Sequence, residues 1–136
     1  MPQPQALNKI VPDIITKFNS GNYDALTKRM DIKVSLKRVR YPDSVKGIAE
    51  VKAYLDYHMK DRSPSVDNID STKWSYGFPT AMDPENNALI AYASNTGTYH
   101  DDNGATNIDI NFTLCFGRDT TNDEWSLINS FAAPKV

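Results

Sequence analysis

Apolar residues recur at Leu7, Ile10, Val11, Ile14, Ile15 and Phe18, separated by polar ones. That three-and-four spacing predicts an amphipathic helix over 4–19. Pro12 lies inside it and removes one backbone donor. Gly21-Asn22 stops the helix. Asn22 then caps a second helix, Tyr23 to Met30, whose buried pair is Leu26 and Met30. Residues 33–41 read as a strand. Val34 and Leu36 have one parity, Val39 and Tyr41 the other, so a bulge at Lys37-Arg38 is needed to bring all four to one face. Pro42-Asp43 ends it. A third helix spans about Ile48 to Met59, with Ile48, Val51, Leu55 and His58 or Met59 on its inner stripe.

After a polar loop over 60–70 the period changes to two. Thr72, Trp74, Tyr76 and Phe78 alternate with Lys73, Ser75 and Gly77, a strand with an aromatic face. Strands follow at 88–100, 105–118 and 124–133. Asn103-Gly104 between the first two predicts a two-residue hairpin with a type I′ turn. Such a turn sets the register: Tyr99 opposite Ile108, Gly97 opposite Ile110, Asn95 opposite Phe112, Ala93 opposite Leu114 and Ala91 opposite Phe116.

One face of this hairpin is then apolar, with small residues opposite large ones and Gly97 permitting a bend, which predicts a concave inner surface. His100 and Asp109 point to the other face. In the last strand Trp125, Leu127, Asn129 and Phe131 share the more apolar parity. A four-residue turn over 120–123 sets Asn129 opposite Leu114 and Phe131 opposite Phe112. Asn95 and Asn129 therefore meet on one apolar face. A buried amide left without partners costs about 1–3 kcal/mol, so the pair needs a shared hydrogen bond, a water or a ligand.

The charge is uneven. Residues 1–60 carry eleven Lys/Arg and six Asp/Glu, whereas residues 61–136 carry four and eleven. The net charge of −2 argues against nucleic acid as a partner, since phosphate binding needs a basic surplus. Cys115 is the only cysteine, which excludes an intrachain disulfide. The start lacks an apolar signal core and no apolar run approaches a membrane span, so a cytoplasmic protein is expected. Two His and one Cys make a zinc site improbable, and no phosphate-binding glycine motif occurs, so neither metal nor cofactor is expected. The 136 residues are expected to form one domain, 1–136.

The segments Ser20-Gly21-Asn22-Tyr23-Asp24-Ala25-Leu26, Lys46-Gly47-Ile48-Ala49-Glu50-Val51 and Glu124-Trp125-Ser126-Leu127-Ile128, with the order of elements, resemble the nuclear-transport-factor-2-like superfamily, in its polyketide-cyclase-like (SnoaL-like) branch. The resemblance implies an α+β fold, a cone-shaped roll whose N-terminal helices pack on the concave face of a curved, mainly antiparallel sheet. It implies a pocket at the wide end and a homodimer through the outer sheet face. It also points to Asp31, where enzymes of the family carry a functional carboxylate. By residue pattern alone Asp31 is a loop-end cap or an ion-pair partner.

The inner strand faces carry no Asp, Glu or His before the turn. The catalytic candidates are therefore Asp31, His58 and Tyr54. The ligand-binding candidates are Trp74, Tyr76, Asn95, Phe112 and Asn129, with Arg38 as an anion contact if the bulge turns it inward. These readings favour a domain that binds a small hydrophobic molecule. The alternative is an isomerase, dehydratase or cyclase that uses acid–base chemistry on such a molecule.

Overall fold

A computed structural model describes residues 7–37, 44–79, 89–119 and 124–135. The predicted apolar stripe forms α1, Leu7–Asn19, and buries Leu7, Ile10, Val11 and Ile14, with Pro12 inside the helix. The chain leaves it through Gly21 in the left-handed region at φ +73°. There the Asn22 N–H donates to the Lys17 carbonyl at 3.0 Å. Asn22 Oδ1 then accepts from the Ala25 N–H at 3.3 Å and caps α2.

Helix α2 is shorter than expected, Tyr23–Thr27. Met30 instead opens β1, Met30–Lys37. This strand runs parallel to the last one, Met30 beside Leu127 and Leu36 beside Ser130, with an irregularity between Met30 and Ser35 that leaves Ile32 exposed. The expected bulge at Lys37-Arg38, with Arg38, Val39, Tyr41, Pro42 and Asp43, lies outside the described residues.

A short strand, β2 (Ser44–Lys46), folds back on β1. Gly47 at φ +86° then starts α3, Ile48–Tyr54. The same helix continues as a π-helical turn over Leu55–Met59 and a 3₁₀ turn over Lys60–Arg62. Val51, Leu55 and Met59 are its buried side chains. The expected loop over 60–70 contains one further strand, β3 (Ser65–Asp67), paired with the hairpin's first strand. Its three residues are too few to show a period. The aromatic strand is likewise brief, β4 (Ser75–Gly77), but its parity holds: Tyr76 stands opposite Ala93.

The long strands are β5 (Ile90–Asp101), β6 (Thr106–Asp119) and β7 (Glu124–Pro134). The sheet order is β2-β1-β7-β6-β5-β3, with β4 also on β5. The predicted β5–β6 pairs from Tyr99 with Ile108 to Ala91 with Phe116 are present, whereas the expected pairing of Asp102 with Ala105 is taken into the turn. The turn closes with the Ala105 N–H on the Asp102 carbonyl at 3.1 Å. Asn103 (φ 53°) and Gly104 (φ 92°) adopt the predicted left-handed pair. Asp102 is left-handed too, so the ladder ends one pair early, at Asp101 with Thr106.

The β6–β7 register departs from expectation. Phe116 pairs with Leu127, but Cys115 pairs with Asn129, so Ile128 is an extra residue in β7. Parity along β7 inverts at that bulge. Trp125 and Leu127 are buried inside, while Ser130 and Ala132 replace Asn129 and Phe131 on the inner face. Asn129 stands beside Cys115 and Phe131 beside Thr113 on the outer face, where Phe131 is 41% exposed. The core lies between the helices and this inner face, around Val11, Val34, Val51, Ala91, Ala93 and Phe116.

Candidate functional site

A cavity of about 650 Å³ separates the helices from the concave sheet face. Its walls are mostly apolar. Ile14 and Phe18 come from α1, Leu26 from α2 and Leu55 and Met59 from the π turn, while Ile110, Phe112 and Leu114 come from β6. The size is that of a ligand pocket, for which roughly 300–1,000 Å³ is usual.

Few polar groups reach it. At one end Tyr99 and Asp101, two residues apart on β5 and hence on one face, meet Arg62 from the 3₁₀ turn. The Arg62 guanidinium grips the Asp101 carboxylate through Nε at 2.7 Å and Nη2 at 3.1 Å. The Tyr99 hydroxyl donates to Asp101 Oδ2 at 3.0 Å, and the Asp102 N–H to Oδ1 at 2.7 Å. Each carboxylate oxygen thus accepts twice, which fills its lone-pair sites. Burial alone would push the Asp101 carboxyl up. The hydrogen bonds from Arg62, Asp102 and Tyr99 outweigh it and hold the group below the ordinary carboxylate range. Burial, then the Asp101 charge, raises Tyr99, so its hydroxyl keeps its proton.

Along α3 the cavity is edged by Glu50, Tyr54, Tyr57 and His58. The rings of Tyr54 and His58 are stacked 6.0 Å apart. Leu55 and Met59, four residues apart, share the buried face of this stretch, while Tyr54 and His58, also four apart, share the neighbouring face and border the opening. Ser130 enters from β7 by way of the bulge, and Ser44 from β2.

Three sequence candidates line this cavity: Tyr54, His58 and Phe112. Asp31 does not; its Oδ1 accepts from the Lys33 N–H at 2.8 Å and closes a local turn. Trp74 and Tyr76 stack on each other at 6.3 Å, and Trp74 meets the edge of Phe112 at 5.6 Å, outside the cavity wall. Asn95 holds the preceding loop through the Asp70 carbonyl at 3.0 Å and accepts from the Thr96 N–H, so its amide is used within the protein. Asn129 is turned to the outer face by the bulge. Arg38 lies outside the described residues. No group of three or more His, Cys, Asp or Glu is placed to hold a metal among the described residues, nor is any helix there long and apolar enough to cross a membrane.

The sequence pattern places Tyr99 on the inner face but not in the site, and it misses Asp101 and Arg62. The signal was present for Asp101, which shares the inner parity of Tyr99; ending the strand at His100 hid it. Nothing local marked Arg62, whose partner is 39 residues away.

No family model and no curated protein matches the chain. Solved structures do. An NTF2-like protein with a cystatin-like fold from Novosphingobium aromaticivorans is 13% identical, with a TM-score of 0.67 over 94% of this chain and 79% of that one. A candidate dehydratase from the NTF2-like family of Streptomyces avermitilis is 16% identical, with a TM-score of 0.67 over 90% and 88%. The chain has the nuclear-transport-factor-2-like fold. A candidate polyketide cyclase from Xanthomonas campestris, 18% identical over 93% of this chain and 88% of that one, shares it at a TM-score of 0.56. Within the NTF2-like fold the cavity described above is the space enclosed by the helices and the curved sheet.

Proposed function

We propose that this chain binds a small, mostly apolar molecule in the cavity between its helices and curved sheet. The observation that carries this reading is the 650 Å³ space itself, mostly apolar in its walls, with its polar side chains gathered at the Arg62 end and along the α3 edge. Its most buried carboxylate, Asp101, has every acceptor site occupied by the protein and so is not free to take a proton from a ligand. Native mass spectrometry of protein purified from its natural host tests the reading. A bound small molecule is expected, and its loss is expected in Leu114→Trp, which fills the space. Protein that is ligand-free in the host, with Leu114→Trp more stable than the parent, would leave the cavity a packing defect.

A second reading is favoured by the stacked Tyr54 and His58 at the opening. In it the chain is an isomerase, dehydratase or polyketide-cyclase-like enzyme, the classes named among its structural neighbours, with His58 as the proton carrier. His58→Gln separates the two: binding persists in both cases, whereas turnover of the co-purified ligand is lost only if His58 moves a proton.

We infer that the chain also pairs with a second copy through the outer sheet face. Tyr92 and Phe131 are more than a third exposed there, beside uncharged Ser94, Thr113 and Asn129. Sedimentation is expected to give a dimer for the parent and a monomer for Phe131→Asp.

A further inference from the structure

We propose that the cavity selects uncharged, hydroxyl-bearing molecules and turns away carboxylates. The inference rests on the binding reading above and adds the ligand's class to it. An arginine in an apolar pocket usually signals an anionic ligand, because its guanidinium matches a carboxylate. Here that capacity is taken. Arg62 Nε and Nη2 hold Asp101, and Nη2 also lies 2.9 Å from Asp102 Oδ1. One cation therefore faces two carboxylates. Glu50 adds a negative charge at the exposed rim. Among the described residues the charged lining groups are Glu50 and Asp101 against Arg62, a negative balance with His58 neutral, and the walls are mostly apolar. Entering carboxylate would lose its hydration and meet like charge.

The remaining polar groups suit a hydroxyl. The Tyr99 oxygen spends its proton on Asp101 and keeps lone pairs that accept. Ser130 Oγ, delivered by the β7 bulge, both accepts and donates and has no side-chain partner among the described residues. An ammonium ion would find a favourable charge in Glu50, but only at the exposed rim; to enter it too must shed its water, and inside every Asp101 acceptor site is filled.

Three probes of one shape test this: 2-naphthol, 2-naphthoate and 2-naphthylmethylammonium, titrated by calorimetry at pH 7. Naphthol is expected to bind at least about tenfold more tightly than either ion. Asp102→Asn, exposed, isosteric and outside the cavity lining, is expected to improve naphthoate several-fold and leave naphthol unchanged, and Glu50→Gln at the rim is expected to improve naphthoate likewise. Asn also tolerates the left-handed backbone at position 102. Naphthoate or the ammonium binding as tightly as naphthol would overturn the selectivity while leaving the pocket in place. No binding of any of the three would overturn the binding reading and this inference together.

Discussion

Cys115 stands opposite Asn129 on the outer face of the sheet, although the next residue along β6, Phe116, stands opposite Leu127 on the inner face. The one-residue excess on β7, Ile128, decides which polar group enters the cavity. Without it Asn129 would point inward; with it Ser130 does. The close fit of Ile128 shows at Gly117, where an added Cβ would lie 3.0 Å from Ile128 Cγ2.

The first prediction follows from that exchange. Asn129→Leu is expected to leave ligand binding unchanged and to shift stability by no more than about 0.5 kcal/mol, as for a substitution away from the core. Ser130→Leu is expected to weaken binding at least about tenfold, because it removes a hydroxyl and narrows the cavity. Denaturant unfolding and calorimetric titration of the two variants with the host ligand check both statements.

Gly97 gives the second. It lies on β5 opposite Ile110, and the end of β3 with the residues just after it passes directly against it. A Cβ there would meet the Asp67 carbonyl oxygen and Val66 Cγ1, each at 3.0 Å, and Ile69 Cγ1 at 3.1 Å. Backbone oxygen cannot swing aside as a side chain can. Gly97→Ala is therefore expected to cost about 1–3 kcal/mol in urea unfolding, the usual range for overpacking.

A third concerns acid. Asp101 is held below its ordinary pKa, so it contributes stability above the unfolded value of about 4. That contribution is lost as pH falls through the lower folded value. Asp101→Asn is expected to be destabilised by about 1–2 kcal/mol at pH 7, less than for a fully buried pair because Arg62 is 39% exposed. Its deficit relative to the parent is expected to shrink between pH 4 and pH 2. Thermal unfolding of both proteins across that range measures it.

The fourth turns on His100, which lies on the outer face of β5. Its Nε2 faces Asp67 Oδ1 on β3 at 2.8 Å, and its Nδ1 faces Asn107 Oδ1 on β6. Asn107 donates its amide to the Gly104 carbonyl at 3.1 Å, which fixes the oxygen toward the ring. Two acceptors facing the two ring nitrogens favour imidazolium. The hydrogen bonds to Asp67 and then Asn107 accordingly raise the His100 pKa. The stabilisation is fully present below about pH 6.5, the unfolded value, and disappears as pH rises through the folded one. His100→Gln is expected to flatten the parent's decline in urea midpoint between pH 6 and pH 9.

Much of this architecture was legible in the residues alone. The α1 stripe, the Asn22 cap and the whole β5–β6 register followed from spacing and from one Asn-Gly pair, because helix period, capping and tight turns are local and their geometry propagates residue by residue. The inner lining of β6 was readable for the same reason. The aromatic alternation around Tyr76 marked β4, though at greater length than its three residues, whereas β3, Ser65–Asp67, carries too few positions for a period and takes its form from β5.

What the chain alone could not specify is the content of the cavity. The Ile128 bulge depends on how β7 fits against β6, and nothing in the run Ser126-Leu127-Ile128-Asn129 marks one residue as extra. The meeting of Arg62 with Asp101 depends on where a helix end and a hairpin tip come together across 39 residues. Alternation determines which residues share a face only while the strand stays regular. A single unpaired residue inverts the rule, and it forms where packing on both sides favours it, which is a property of the assembled sheet.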